Sequence, residues 1–162
     1  MSKYDVIIVG AGPAGLFASY ELLKRKKGIK IALLDMGKRL EKRKSSEVMS
    51  GIGGAGTFSD GKLHYTADLS HEKAFHLISK PKYQKILDYV DEIFKEFGVN
   101  SEYYPKMTPE YDELIRDAIL NDIELVVRRA QHVGTDKLKV VIGNFEKYKL
   151  QFYIQIYENQ RR

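Results

Sequence analysis

The order of apolar runs and glycines near the start of this 162-residue chain constrains its fold most strongly. Residues Tyr4–Val9 (YDVIIV) form an apolar, largely β-branched run, which is typical of a strand buried on both faces. A glycine-rich hexapeptide follows, and then a segment that ends at Gly28 and has helical apolar spacing. Lys30–Asp35 (KIALLD) is a second buried run. This order predicts a βαβ unit with parallel strands. One face of its helix carries Leu16, Tyr20 and Leu23.

The hexapeptide has the spacing Gly10-x-Gly12-x-x-Gly15, and Asp35 lies twenty residues beyond it. In this context the first glycine permits a tight turn, the second lets a pyrophosphate approach the backbone, and the third lets helix and strand pack closely. Asp35 is placed to accept hydrogen bonds from an adenosine ribose, and its charge disfavours a 2′-phosphate. The unit therefore predicts dinucleotide binding, but does not by itself separate FAD from NAD. A βαβ unit with a merely tight turn is the structural alternative.

A second glycine-rich stretch, Gly51–Tyr65 (GIGGAGTFSDGKLHY), contains G-x-x-x-x-G-K. A P-loop follows a buried strand and ends in Lys-Ser/Thr. Here Leu63 follows the lysine, and the preceding segment is polar and broken by glycines. We therefore exclude nucleotide-triphosphate hydrolysis and interpret the stretch as a loop that lets the backbone approach a ligand.

Composition excludes several other functions. The sequence has no cysteine, so it forms no disulfide framework or thiolate zinc site, and we expect a reducing, cytoplasmic location. No apolar run is long enough for a membrane span, and the four histidines show no metal-ligand spacing.

The segment from Lys24 to Lys44 is strongly basic, with ten Lys/Arg residues and only two acids, Asp35 and Glu41. This run is either solvated or attracts an anionic dinucleotide. It has no aromatic residue, so we expect no nucleic-acid partner.

The remaining segments predict further elements. Amphipathic helices are expected at Lys80–Val99 and Thr108–Asn121, the second with an N-capping threonine and proline at its first position. A third strand is expected at Ile123–Arg128 (IELVVR), a helix at Gly134–Lys149, and a last strand at Phe152–Tyr157.

Five segments together resemble one known family. The chain is similar to the N-terminal part of the FAD-dependent dehydrogenases, also called NAD(FAD)-utilising dehydrogenases, which have a glutathione-reductase-like FAD-binding fold. The resemblance covers most of residues 4–148. Its segments are VGAGPAGLFASYEL, SGIGGAGTFSDGKL, VDEIFKEFG, RRAQHVGTDKL and VIGNF.

The resemblance implies FAD as the cofactor, with NADH or NADPH as reductant in the complete family protein. It places the first glycine loop at the FAD pyrophosphate, the acid after the second strand at the ribose, and the second glycine loop on the flavin side. It assigns no catalytic residue. Lys62 is left either as a solvated lysine or as a contact to an anion, and His132 either as a surface residue or near the flavin. The implied cofactor-binding residues are Gly10, Gly12, Pro13, Ala14, Gly15, Asp35, Gly53, Gly54, Ala55, Gly56 and Thr57.

The expected fold is α/β: a Rossmann-like FAD-binding βαβ with a parallel sheet, as one domain over residues 1–162 with a mostly helical insertion at about 66–121. The family pattern stops after Tyr148, so we expect a truncated, incomplete domain, completed by a homo-oligomer or by a missing C-terminal half. The expected function is an FAD-binding flavoprotein oxidoreductase. Two alternatives stay open: a dinucleotide-binding remnant without catalysis of its own, and an NAD-binding Rossmann protein. No membrane partner is expected.

Overall fold

A computed structural model describes residues 3–70 and 72–148, together with the backbone of residues 154–158. The chain divides into two compact units. The first unit comprises Met1–Gly61 and Gly134–Arg162, and the second comprises Lys62–Val133. The second unit is therefore inserted in the sequence of the first.

A three-stranded parallel sheet forms the centre of the first unit. Its strands are β1 (Val6–Val9), β2 (Ile31–Asp35) and β6 (Ile154–Glu158), in the order β1-β2-β6. The predicted βαβ unit and the α/β class are confirmed. The last predicted strand is present from Ile154 onward, and its residues 152 and 153 lie outside the described part of the chain.

Two helices of the first unit pack against each other through aromatic side chains. They are α1 (Pro13–Arg25) and α4 (Thr135–Lys147). The rings of Phe17 and Phe145 lie 5.1 Å apart, and Tyr20 lies 5.8 Å from the same phenylalanine. The buried residues of the two helices include Leu16, Tyr20, Leu23, Leu138, Val141, Ile142 and Phe145. The apolar face predicted for the first helix is thus its packing face.

The two faces of β1 differ in exposure. A Cβ added at Gly15 of α1 would lie 3.4 Å from Ile8 Cγ2, so Ile8 faces that helix. Side chains alternate along a strand, and Ile7 and Val9 therefore lie on the opposite face. Their side chains are 63% and 83% exposed, which leaves apolar surface on this face of the strand.

The second unit combines a small antiparallel sheet with two α-helices. Its strands are β3 (Lys62–His64), β4 (Tyr103–Tyr104) and β5 (Ala130–His132), in the order β3-β5-β4. The helices α2 (Lys80–Glu96) and α3 (Pro109–Leu120) confirm the two predicted amphipathic segments. Thr108 caps α3 as expected, since its Oγ1 accepts from Tyr111 N at 3.3 Å.

A charged and aromatic cluster fixes α2 against this sheet. The guanidinium of Arg129 lies 2.9 Å from a carboxylate oxygen of Asp88 and 3.4 Å from one of Asp91. Its central carbon lies 5.7 Å and 5.4 Å from the ring centres of Tyr65 and Tyr103. Asp91 is buried, and this pairing offsets the cost of removing its charge from water.

The strand predicted at Ile123–Arg128 is wrong. Residues 123–129 have no strand assignment, and the strand of this region is β5, which begins at Ala130. The reason is pairing, because the partners β3 and β4 align with Ala130–His132. A β-branched composition favours a strand only where a neighbouring strand completes the ladder.

None of the α-helices in the described part of the chain is long and apolar enough to cross a membrane.

The contact between β1 and α1 makes Gly15 indispensable to the first unit. A Cβ added there would lie 1.9 Å from Gly10 O. We predict that Gly15→Ala lowers the free energy of unfolding by about 1–3 kcal/mol or more, since the methyl group forces helix and strand apart. Urea unfolding followed by circular dichroism measures this. Gly56→Ala is the control, because no heavy atom lies within 4 Å of its added Cβ. Equal stability of the two variants would contradict the packing described.

Candidate functional site

A cavity of about 490 Å³ lies in the first unit, at the carboxyl ends of β1 and β2. This volume is in the range of small-molecule sites. Open parallel sheets bind ligands in the crevice beyond the carboxyl ends of their strands. The lining residues are Val9, Gly10, Gly12, Leu34, Asp35, Met36, Met49, Ser50, Gly51 and Gly54.

The first glycine loop presents the start of α1 to this cavity. Gly10 has φ +100°, a conformation that favours glycine, and its N–H donates to Leu34 O at 2.7 Å. Gly12 is the N-cap residue and has no side chain to cap the helix, and Pro13 occupies the first turn. The first-turn N–H groups and the positive end of the helix dipole therefore suit a phosphate.

The second glycine loop contacts the first loop directly. The N–H of Gly53 donates to Ala11 O at 2.8 Å. A Cβ added at Gly54 would lie 3.2 Å from Gly12 Cα and 3.4 Å from Pro13 Cδ. Backbone thus meets backbone where the two loops adjoin, and a side chain at Gly54 would crowd the first loop.

Asp35 joins both loops through its carboxylate. Oδ2 accepts from Ala11 N at 2.7 Å, and Oδ1 accepts from Gly51 N at 2.7 Å and from Gly37 N at 2.8 Å. A carboxylate offers about four acceptor positions. Three are used by the backbone, which leaves about one for a ligand hydroxyl group.

The environment of Asp35 keeps the carboxylate ionised. Burial, the largest influence, raises its pKa. The N–H donors of Ala11, Gly37 and Gly51, with the charge of Arg43, outweigh burial and hold the pKa below its ordinary value of 3.8. The edge of the cavity therefore carries a fixed negative charge at neutral pH.

Arg43 supports the second loop through hydrogen bonds to its backbone carbonyls, a role that sequence analysis missed. Its side chain is buried, and its NH1 donates to the carbonyl oxygens of Ile52 and Gly54 and to Thr57 Oγ1. NH2 donates to the carbonyls of two further residues, Glu47 and Val48. Among ten basic residues, nothing in the sequence distinguished this one from its solvated neighbours.

In the structure, the predicted cofactor residues fall into three groups: residues that line the cavity, buried residues that hold the loops, and exposed residues outside the lining. Gly10, Gly12, Asp35 and Gly54 line it. Buried residues that hold the loops are Gly15, Gly53 and Thr57. Exposed residues outside the lining set are Pro13, Ala14, Ala55 and Gly56.

Thr57 and Gly53 hold the second glycine loop in place and are not among the residues that line the cavity. The hydroxyl of Thr57 accepts from Arg43 at 3.1 Å and lies 3.4 Å from Ile52 O. A Cβ added at Gly53 would lie 2.2 Å from that hydroxyl and 2.7 Å from Ile142 Cγ2. These residues therefore fix the shape of the second loop against α4.

Lys62 and His132 lie in the second unit, where they are paired across β3 and β5. Within the described ranges, no three His, Asp or Glu side chains converge on a metal-sized site, and His71 lies outside those ranges.

Comparison with known proteins agrees with this geometry. The NAD(P)-binding Rossmann-like domain family matches residues 8–93, more than half of the chain. The chain belongs to this family. The match begins in β1, contains both glycine loops and ends in α2. The Rossmann-like chain is thus a dinucleotide-binding module of the kind found in oxidoreductases.

The chain is also similar to an uncharacterized protein of Clostridium beijerinckii. The two are 29% identical over 159 aligned positions. The alignment covers 90% of this chain and 22% of the relative, so the chain spans about a fifth of the relative's length.

The hydrogen bonds of Asp35 predict an acid-dependent stability. Because its pKa is lower in the folded state, the unfolded chain binds more protons, and stability rises with pH. The contribution of Asp35 is present above about pH 4 and is lost as pH falls through its folded pKa, below 3.8. We predict that Asp35→Asn costs about 1.5–3 kcal/mol at pH 6 and flattens this acid dependence.

Urea unfolding at pH 6, 5, 4 and 3 measures this effect. Glu41→Gln is the matched control, because it removes an exposed carboxylate from the segment between β2 and the second glycine loop. If Asp35→Asn and Glu41→Gln show the same stability and slope, Asp35 does not hold the loops.

Proposed function

We propose that this chain is the FAD-binding portion of a flavoprotein oxidoreductase. The observation that carries the proposal is the backbone contact between Gly12 and Gly54, which joins two glycine loops around one cavity. In the proposed complex, the first loop holds the pyrophosphate, Asp35 accepts from one ribose hydroxyl, and the second loop lies on the flavin side.

The second glycine loop favours FAD over NAD. A Rossmann βαβ unit holds a dinucleotide with its first glycine loop and one acid. Here a second loop, supported by Arg43, is added at the same cavity. The resemblance to FAD-dependent dehydrogenases places that loop beside the flavin, which supports the same assignment.

The residues of this chain would bind and orient the cofactor. FAD, when bound, supplies the capacity to accept a hydride or electrons. The free first-turn N–H groups of α1 suit the pyrophosphate charge, and the bare backbone at Gly12 admits it closely. The negative Asp35 would repel a 2′-phosphate in the ribose position. The single domain over residues 1–162 with an insertion at about 66–121 stays a proposal, and the inserted unit of the structure spans Lys62–Val133. The cytoplasmic location, suggested by the absence of cysteine, also stays a proposal.

A second candidate is a dinucleotide-binding module without turnover of its own. It is favoured by the lining of the dinucleotide cavity, which consists of glycines and apolar side chains with one serine and one acid, Asp35. Reduction separates the two candidates: bleaching of bound flavin by NADH or NADPH supports an oxidoreductase, and stable yellow colour in their presence supports the module.

Cofactor choice is tested by titrating the purified chain with FAD and with NAD, followed by calorimetry. We predict that FAD binds more tightly than NAD. Gly12→Ala should weaken FAD binding at least about tenfold, which is about 1.4 kcal/mol, because its methyl group lies where the pyrophosphate approaches. Its added Cβ meets only Gly54 Cα, at 3.9 Å, so the fold should be retained.

Gly143→Ala is the control, because Gly143 lies in α4, outside the cavity lining and the predicted cofactor residues, and its added Cβ meets only Leu40 Cδ2, at 3.5 Å. Unchanged FAD affinity in a folded Gly12→Ala protein would show that the phosphate is wrongly placed. Tighter binding of NAD than of FAD would replace the flavoprotein assignment with an NAD-binding one.

We also propose that association with a second copy of the chain covers the exposed face of β1 around Ile7, since Val9 on the same face lines the dinucleotide cavity. Exposed apolar strand faces promote association. Sedimentation velocity at increasing concentration should show self-association, and Ile7→Lys should reduce it because the change places charge on that face. Ile7 is not among the residues that line the dinucleotide cavity. A monomer at every concentration would exclude this association.

A further inference from the structure

Two methionine side chains lie in the exposed lining of the dinucleotide cavity. Met36 directly follows Asp35 at the end of β2, and Met49 lies just before the second glycine loop. Both line the cavity, and they are 61% and 83% exposed. Neither side chain therefore belongs to the buried core of the first unit.

Backbone contacts join the two segments that carry these methionines. A Cβ added at Gly37 would lie 2.3 Å from Gly51 N and 2.5 Å from the carbonyl carbon of Ser50. The residue after Met36 therefore packs against the residues that follow Met49. The two thioether side chains thus belong to adjoining segments of the cavity lining.

Methionine supplies much of the apolar side-chain surface of this cavity. Four of its ten lining residues are glycines, and two are polar. The four apolar side chains are those of Val9, Leu34, Met36 and Met49. Half of them are therefore methionines, and a nucleotide that fills the cavity covers thioether groups as well as glycine backbone.

The thioether is the group of this lining that an oxidant alters. The chain has no cysteine, so its four methionines are the side chains that a peroxide oxidises most readily. One oxygen atom passes from hydrogen peroxide to the sulfur, which gives up two electrons, and water is released. The product, methionine sulfoxide, is polar, and its removal from water without a hydrogen-bond partner costs free energy.

We infer that Met36 and Met49 form an oxidation site whose conversion to sulfoxides by a peroxide weakens nucleotide binding. The inference rests on the proposed function, which places the dinucleotide in this cavity. Because both side chains are exposed in the free protein, their sulfoxides are solvated there and the fold is retained. A bound nucleotide covers them, so the cost arises only in the complex. Enzymatic reduction of the sulfoxides reverses the change.

The test oxidises the full chain with hydrogen peroxide until peptide mass spectrometry shows complete conversion of Met36 and Met49. Calorimetry then measures the affinity for ADP before and after treatment. We expect ADP to bind at least about fivefold more weakly to the oxidised chain, with an unchanged circular dichroism spectrum. Treatment with methionine sulfoxide reductases should restore the affinity.

The double variant Met36→Leu/Met49→Leu removes both thioethers with little change of side-chain volume. Its affinity for ADP should be the same before and after peroxide treatment. Met107→Leu is the matched control, because Met107 is 74% exposed, belongs to the second unit and is not among the cavity-lining residues. This control should show the same peroxide-dependent loss as the wild-type chain.

Protection by the ligand is a second, independent measurement. Saturating ADP should slow the oxidation of Met36 and Met49 in the wild-type chain and leave the rate at Met107 unchanged. Equal oxidation rates at the two cavity methionines with and without ADP would overturn the inference, since the nucleotide would not cover them.

Unchanged ADP affinity after complete oxidation of both cavity methionines would also overturn the inference, as would an equal loss of affinity in the double variant. In these cases ADP still binds the untreated chain, and the proposed function stands. Failure of the untreated chain to bind ADP would overturn the proposed function, and the inference with it.

Discussion

The first unit depends on the carboxylate of Asp35, which accepts from the backbone of both glycine loops. Its bonds to Ala11 and Gly51 join segments that are forty residues apart in sequence. Glycine-rich loops are entropically costly to order, because glycine loses more backbone freedom than any other residue. A half-buried carboxylate with a lowered pKa offsets that cost and fixes one geometry. The acid expected to bind ribose is therefore also the residue that assembles the cavity.

Arg43 complements this arrangement on the other side of the second loop. Its guanidinium donates to the carbonyls of Ile52 and Gly54, so Asp35 binds the Gly51 N–H of the loop and Arg43 binds its C=O groups. A planar guanidinium group has several N–H donors in a fixed arrangement, so it can bind carbonyl oxygens of different residues at once. The loop is thus ordered without bulky side chains at its surface, which leaves backbone exposed to the cavity. This is the requirement for close approach of a phosphate or a flavin.

Sequence analysis predicted the elements that depend on neighbouring residues well, and those that depend on contacts with distant segments poorly. The strand, loop and helix around Gly10–Gly15 were predictable, because periodicity and glycine spacing are local. The strand expected at Ile123–Arg128 failed since strand formation depends on partners distant in sequence, here β3 and β4. Arg43 was missed for the same reason, as its burial depends on a loop that folds back over it. The assignment of FAD rests on resemblance and on the second loop, and stays a prediction.

The central claim, that both glycine loops form one dinucleotide site, is tested most directly by NMR titration of the 15N-labelled chain with ADP. The account predicts that the amide signals of Gly15 in the first loop and of Gly51 and Gly54 in the second shift together, with a single dissociation constant. The amide of Ala118, in the second unit, should not move. Shifts confined to the first loop, or different constants for the two loops, would contradict the claim.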